Sequence, residues 1–263
     1  MNSFPIYQAD AFTSKVFSGN PASVCPLTTW LPEEVLQQIA FENNQPETAF
    51  VVPYKEDFQI RWFTPTMEVD LCGHATLAAA HIFYEQLGYR SEMIRFFSKS
   101  GWLTVTRAEN QQLTLDFPAD TPSPVEKVPQ AIWDGFGISS GKVYKGKFDY
   151  MVEVETEDIV AKLSPDLAKL STLDSRGAII TAKGKTADFV SRCFFPQSGI
   201  DEDPVTGSAH CLLTAYWYQQ TGRTQFKAAQ LSARRGEMDC EIKGDRVLMT
   251  GKARTYLKGE IYI

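Results

Sequence analysis

An α+β fold made of two similar halves, each a curled and mostly antiparallel sheet around one buried helix, follows from three features of the sequence. The first is the stretch Leu71 to Tyr84, which carries no fixed charge and is rich in Ala and Leu, with Gly88 beyond its end. Such residues favour helix, and Gly marks its C-terminal side. A helix apolar on nearly every face has to be buried on nearly every face, and at about fourteen residues it is too short to span a bilayer. The second feature is a repeat of this segment from Gly207 to Gly222, in which Gly73/Gly207, Ala75/Ala209, Tyr84/Tyr218, Gln86/Gln220 and Gly88/Gly222 coincide. The third is matching order on both sides. Arg61-x-Phe63-x-Pro65 recurs as Arg192-x-Phe194-x-Pro196, and Gly101 to Leu113 is echoed by Gly236 to Leu248. The second copy has three extra residues between its strand and its helix. The chain therefore reads as two copies of one strand–helix–hairpin unit.

Composition agrees with a packed protein. Of 263 residues, 43% are hydrophobic and 12% aromatic, enough for a substantial core. The net charge of −6 supplies no basic face, so nucleic acid and anionic membrane are not expected partners. The 5 cysteines are scattered without a CxxC pair. That argues against a disulfide framework or a zinc site and for a reducing compartment. The start, Met1-Asn2-Ser3-Phe4-Pro5, lacks the basic and apolar regions of a signal peptide, so the cytoplasm is the expected location.

In order along the chain, Ile6 to Phe12 alternates as a half-buried strand, Ser18 to Ala22 is a turn cluster, and Ser23 to Cys25 is extended. Pro32-Glu33-Glu34 opens an amphipathic helix running to Ala40. Strands follow at Glu47 to Val52 and Phe58 to Phe63, then the first central helix, then strands at Met93 to Phe97, Leu103 to Thr106 and Leu113 to Phe117. Pro118 to Pro129, with four prolines and no periodicity, is the expected linker. Beyond it, strands are expected at Tyr150 to Val154, Ala178 to Thr181 and Asp188 to Phe195. After the second central helix come Gln230 to Ala233, Met238 to Ile242 and Val247 to Thr250. The expected domains are residues 1–117 and 118–263, with the final strand free to pair back into the first. Neighbouring strands in such units must be largely antiparallel and wrap the helix.

The chemistry gathers at the two helix starts. Matching ends of two related halves can face one another across a cleft, a favoured place for small ligands. Gly73 and Gly207-Ser208 leave backbone N–H groups uncovered there, which suits an anion such as a carboxylate. Asp201-Glu202-Asp203 places three acids beside an apolar helix. Asp203 before Pro204 reads equally as an N-cap with a proline at N1 or as a general acid–base group, its pKa raised by its neighbours. His74 follows Gly73, where the positive dipole end favours a neutral imidazole. His81 and His210 read as core. Glu47 enters an apolar strand; it is either an edge carboxylate in solvent or a functional one. Cys72, at a helix N-terminus, is a candidate for a lowered pKa, with Asp203 as its counterpart in the second copy. A two-thiol racemase would need a second cysteine there.

Gly19-Asn20-Pro21-Ala22, Glu47-Thr48-Ala49-Phe50-Val51, Leu71-Cys72-Gly73-His74-Ala75-Thr76 and Asp201 to His210 occur in the order found in the PhzF-like isomerases. This phenazine-biosynthesis family is related in fold to diaminopimelate epimerase, and the resemblance runs from Ile6 to about Gly251. It implies a homodimer of the two-halved fold, with Glu47 as acid/base residue and His74, Asp203 and Ser208 touching substrate. Asn20, Gly73 and Gly207 join the expected substrate-binding set. No metal and no organic cofactor are implied. The expected activity is cofactor-independent isomerisation, moving a proton between carbons of a small cyclic or unsaturated carboxylic acid. An epimerase, or a binding protein for such acids, is the alternative.

Overall fold

In a computed structural model describing residues 2–263, the chain forms two compact units, Met1–Asp116 with Thr250–Ile263, and Phe117–Met249. The first contains β1 (Ser3–Ala11), β2 (Asn20–Pro26), α1 (Glu33–Asn43), β3 (Glu47–Tyr54), β4 (Asp57–Phe63), β5 (Glu68–Val69), α2 (Gly73–Glu85), β6 (Met93–Ser98) and β7 (Gly101–Arg107). It ends along β8 (Leu113–Pro118). The second contains β9 (Ser123–Pro124), α3 (Gln130–Phe136), β10 (Lys142–Lys145), β11 (Asp149–Glu153), α4 (Glu157–Lys162), α5 (Leu167–Leu170), β12 (Gly177–Lys183), β13 (Phe189–Phe195), β14 (Ile200–Asp203), α6 (Gly207–Thr221), β15 (Gln225–Gln230), β16 (Gly236–Lys243) and β17 (Arg246–Gly251). The chain then returns to the first unit as β18 (Ala253–Tyr262).

That return places the final strand in the first unit, which the expected division left open. β1 has β2 on one side; β18 pairs antiparallel along its other side, from Ser3↔Tyr262 to Ala11↔Ala253. An open edge would leave a row of backbone donors and acceptors unpaired. The expected linker is corrected. Residues 119–129 are fastened to the second unit, where Ala119 N–H donates to Asp245 and the Asp120 carboxylate accepts from the Lys147 N–H at 2.9 Å.

The two units share one pairing scheme. In the first, β2 and β3 are parallel, β3 and β4 antiparallel, β4 and β5 antiparallel, β4 and β6 parallel, and β6 and β7 antiparallel. In the second, β11, β12, β13, β14, β15 and β16 repeat these relations in the same order. The sheets are thus mostly antiparallel, with two parallel pairs in each unit. Each unit encloses its own helix. Every residue of α2 from His74 to Tyr84 is buried, as is α6 from Ala209 to Trp217. Charge-free helices with no polar face find their stability in this burial. α1 lies differently, burying Leu36, Ile39 and Ala40 while its acidic first turn stays exposed. Among the described residues, no helix is long and apolar enough to cross a membrane.

Candidate active site

The site of the first unit starts at a turn that only glycine permits. Gly19 has φ +67°, and a Cβ there would lie 2.1 Å from the Ala11 carbonyl oxygen. Glycine adopts this backbone without a steric cost and lets the chain pass close to β1. Asn20 then begins β2 opposite Ala11, fully buried. The parallel ladder places Ala22 of β2 beside Glu47, the first residue of β3. Glu47 is 8% exposed, so it is not the solvent-edge carboxylate that a strand entrance allows. The third contributor is the start of α2, where Cys72 is the N-cap and His74 the second helical residue.

These elements converge on the His74 ring. Nε2 of His74 lies 3.0 Å from Oε2 of Glu47. On the other side, Nδ1 is 3.1 Å from the Asn20 side-chain nitrogen and 3.5 Å from Cys72 Sγ. With Nδ1 turned toward Asn20 and Cys72, Nε2 and its proton face Glu47. The Nε2–Oε2 approach is close but poorly aligned. Among the described residues, neither atom has a hydrogen-bond partner of good geometry. A buried polar atom left in that state costs roughly 1–3 kcal/mol, a cost that calls for a functional explanation.

The electrostatics differ from those expected of a helix start. Burial by itself lowers the His74 pKa, but the hydrogen-bonding contact with Cys72 and the charge of Glu47 outweigh it and hold His74 well above its ordinary value. The helix-end field, about half a charge, is weaker than a full carboxylate at 3.0 Å. The neutral imidazole expected from the dipole alone is therefore replaced by a basic one. Cys72 moves opposite to expectation. Burial and then the Glu47 charge raise its thiol pKa, so it is a protonated neighbour and not an activated nucleophile. His81 and His210 behave as core groups, each lowered to about 4 by burial.

The second unit supplies the remaining predicted residues around the start of α6. Asp203 ends β14 opposite Cys193, and its Oδ2 accepts the Thr206 hydroxyl at 2.6 Å. Gln230 ties this corner together, accepting from Thr206 N–H at 2.9 Å and donating to the Asp203 carbonyl at 2.6 Å. Thr206 is the N-cap of α6, followed by buried Gly207 and half-buried Ser208. Asp203 is thus no N-cap, and Pro204 is not the first helical residue. Nor are the three acids crowded together: Glu202 is gripped by Arg192 through two bonds of 2.7 and 2.9 Å, while Asp201 is exposed.

That grip is itself duplicated, for Arg61 holds Glu68 through two bonds of 2.7 Å. Sequence reasoning missed it, although both arginines stood in the repeated Arg-x-Phe-x-Pro motif. It also fixes the correspondence between the units. Trp62↔Val69 in the first matches Cys193↔Asp203 in the second. Hence Asp203 corresponds to Val69, and Cys72 corresponds to Thr206, not to Asp203 as expected. The extra residues lie at the turn Pro196–Ser198, before β14 rather than after it. By the same register His74 corresponds to Ser208 and Glu47 to Gly177.

The family model described as phenazine biosynthesis-like protein, PhzC-PhzF, matches residues 9–259. An uncharacterized isomerase of Pseudomonas aeruginosa is 48% identical over 98% of both chains. The crystal structure of a PhzF-family phenazine biosynthesis protein of Enterococcus faecalis matches with TM-score 0.96 and 44% identity, covering 100% of each chain. A hydroxyproline epimerase of Agrobacterium vitis, at 8% identity and TM-score 0.65 over 98% of this chain and 92% of its own, shares the fold alone. With family motif, sequence and fold in agreement over nearly the whole length, the chain belongs to the PhzC-PhzF family and is an isomerase.

Proposed function

We propose that the isomerisation is a proton transfer between carbons of a small cyclic or unsaturated carboxylic acid, carried out by side chains without a cofactor. The observation that carries this reading is the buried Glu47–His74 pair, 3.0 Å apart with both facing atoms otherwise poorly engaged. Glu47 as carboxylate takes the proton from one carbon and returns it to another on the same face. His74, basic and carrying its proton on Nε2, donates to the oxygen on which charge develops. Asn20 holds the ring in place through Nδ1. A positioned general base contributes ~10²–10⁴-fold, and donors aimed at developing charge supply much of the remainder.

Substrate carboxylate binding is assigned to the start of α2 at Gly73, where N–H groups have no partner within the helix; the start of α6 at Gly207-Ser208 offers N–H groups of the same kind in the second unit. Asp203, already ordered by Thr206 and Gln230, contacts a substrate hydroxyl or amine. Epimerisation by two thiols is the weaker reading, because Thr206 stands where a second cysteine would be needed. The enzyme is further proposed to act in the cytoplasm as a homodimer, which light scattering of the purified chain tests.

The reaction class is tested by incubating candidate unsaturated acids with the protein in D₂O and following them by NMR. Deuterium on carbon together with a shifted double bond supports the proposal. Deuterium with inversion and no shift makes it an epimerase. Saturable binding without any exchange would make the chain a binding protein.

A further inference from the structure

We propose that Glu47, Cys72 and His74 together form a binding site for a divalent cation of the Zn²⁺ class, which on binding occupies the acid/base pair and blocks it. A carboxylate oxygen, the Cys72 sulfur and one ring nitrogen of His74 all lie within 4.8 Å of one another. Among the described residues this is the one group of three or more His, Cys, Asp or Glu side chains so disposed. Tetrahedral Zn²⁺, with bonds of about 2.0–2.3 Å, holds its donors roughly 3.3–3.8 Å apart. The widest gap in the group therefore has at most about 1.5 Å to close.

Spacing alone would not make a ligand site; the unengaged atoms do. Oε2 of Glu47 and Nε2 of His74 are buried without well-aligned partners, although their residues are only 8% and 4% exposed. A cation placed among them would satisfy groups that the fold leaves wanting. The donor set chooses the ion. One thiolate, one imidazole and one carboxylate suit Zn²⁺ or Co²⁺, whereas Mg²⁺ and Ca²⁺ require oxygen donors throughout. Three protein ligands leave a fourth position for water.

Binding is a simple exchange of cation for proton. Cys72 binds as thiolate and His74 through Nε2, each releasing its proton to solvent, while Glu47 binds as carboxylate; no electron is transferred. Two anionic ligands then balance the dication, and the half-charge at the start of α2 is too small to reverse that balance. Blockade of turnover rests on the proposed proton transfer; binding does not.

The test is a Co²⁺ titration of the metal-free wild-type chain, followed by absorbance. One equivalent is expected to give a thiolate-to-cobalt charge-transfer band in the near ultraviolet, which Zn²⁺ then abolishes by displacement. Cys72→Ser, checked for native circular dichroism, should lose that band. Glu47→Gln should keep it while binding Co²⁺ at least about 10-fold more weakly, as expected of a lost ligand. The other four cysteines are buried outside this group, so they do not supply the sulfur. Absence of the band in folded wild-type protein would overturn the proposal, as would a band that survives Cys72→Ser. Where a substrate is in hand, stoichiometric Zn²⁺ should stop deuterium exchange. A chain with the cobalt band but no exchange even when metal-free retains the cation site and loses the proton-transfer reading.

Discussion

His74 is the residue at which burial, helix dipole and neighbouring acids pull in different directions, and the acids prevail. Its raised pKa carries a testable sign. A histidine whose folded pKa exceeds its unfolded value adds stability below the unfolded value, near 6.5, and loses it as pH rises through the folded one. His81 and His210 do the reverse: lowered to about 4, they are neutral in the fold, and their contribution fades as pH falls from about 6.5 toward 4. NMR titration of the three imidazoles is expected to show two titrating near pH 4 and one, His74, above 6.5. Glu47→Gln should bring the His74 midpoint down, since it removes one of the two groups that raise it. A His74 midpoint at or below 6.5 in the wild type would contradict this account of the site.

Among elements, the turn from β1 into β2 and the corner from β14 into α6 determine where the polar groups end up. Gly19→Ala forces a side chain into left-handed backbone and against the Ala11 carbonyl. The expected cost is at least about 1–3 kcal/mol, seen as a lowered thermal midpoint together with reduced activity, because Asn20 moves with the turn. Unchanged melting would mean that the turn has another accessible conformation. At the second corner, Glu202→Gln weakens the double bond from Arg192. Loss of a charge-assisted contact of this kind costs about 1.5–3 kcal/mol when buried and less here, where both side chains are partly exposed. Chemical denaturation measures it, and a variant as stable as wild type would remove the pair from the stabilising contacts.

The same elements show why part of the site was legible in the sequence. Two charge-free helices and the repeated Arg-x-Phe-x-Pro segment located the duplicated units, because helix burial and strand order are local properties. Glu47, His74 and Asn20 were recognisable by motif, yet their meeting around one ring depends on pairing between strands distant in sequence. The place of the insertion was not legible either. Laying Asp203 against Cys72 needed the register of β13 with β14, which turn residues 196–199 shift. Short strands such as β5 and β9, of two residues each, carry too little alternation to be seen.

At the level of the whole molecule, one scaffold appears twice but the buried Glu–His pair appears once. Glu47, Cys72 and His74 have as counterparts Gly177, Thr206 and Ser208, so the second unit keeps the strand–helix frame and the Arg–Glu grip without a buried Glu–His pair. A single acid/base pair fits removal and return of a proton by one carboxylate better than inversion between two equivalent groups. The frame also depends on its last strand. Ending the chain before Thr250 removes β18 from the side of β1, exposing a hydrogen-bonding edge and the apolar surface beneath it. The truncated protein is expected to lose the cooperative thermal transition of the first unit in circular dichroism. A native melt would show that β18 is dispensable.

The central claim is that Glu47 moves the proton, and deuterium exchange in a Glu47→Gln variant tests it most directly. Glutamine keeps the shape of the side chain but cannot take up and return a proton at neutral pH. With a substrate identified in D₂O, the folded variant should still bind it, while turnover and deuterium incorporation fall together by ~10²–10⁴-fold. Incorporation at the wild-type rate by a natively folded Glu47→Gln protein would contradict the account and move the role to Asp203.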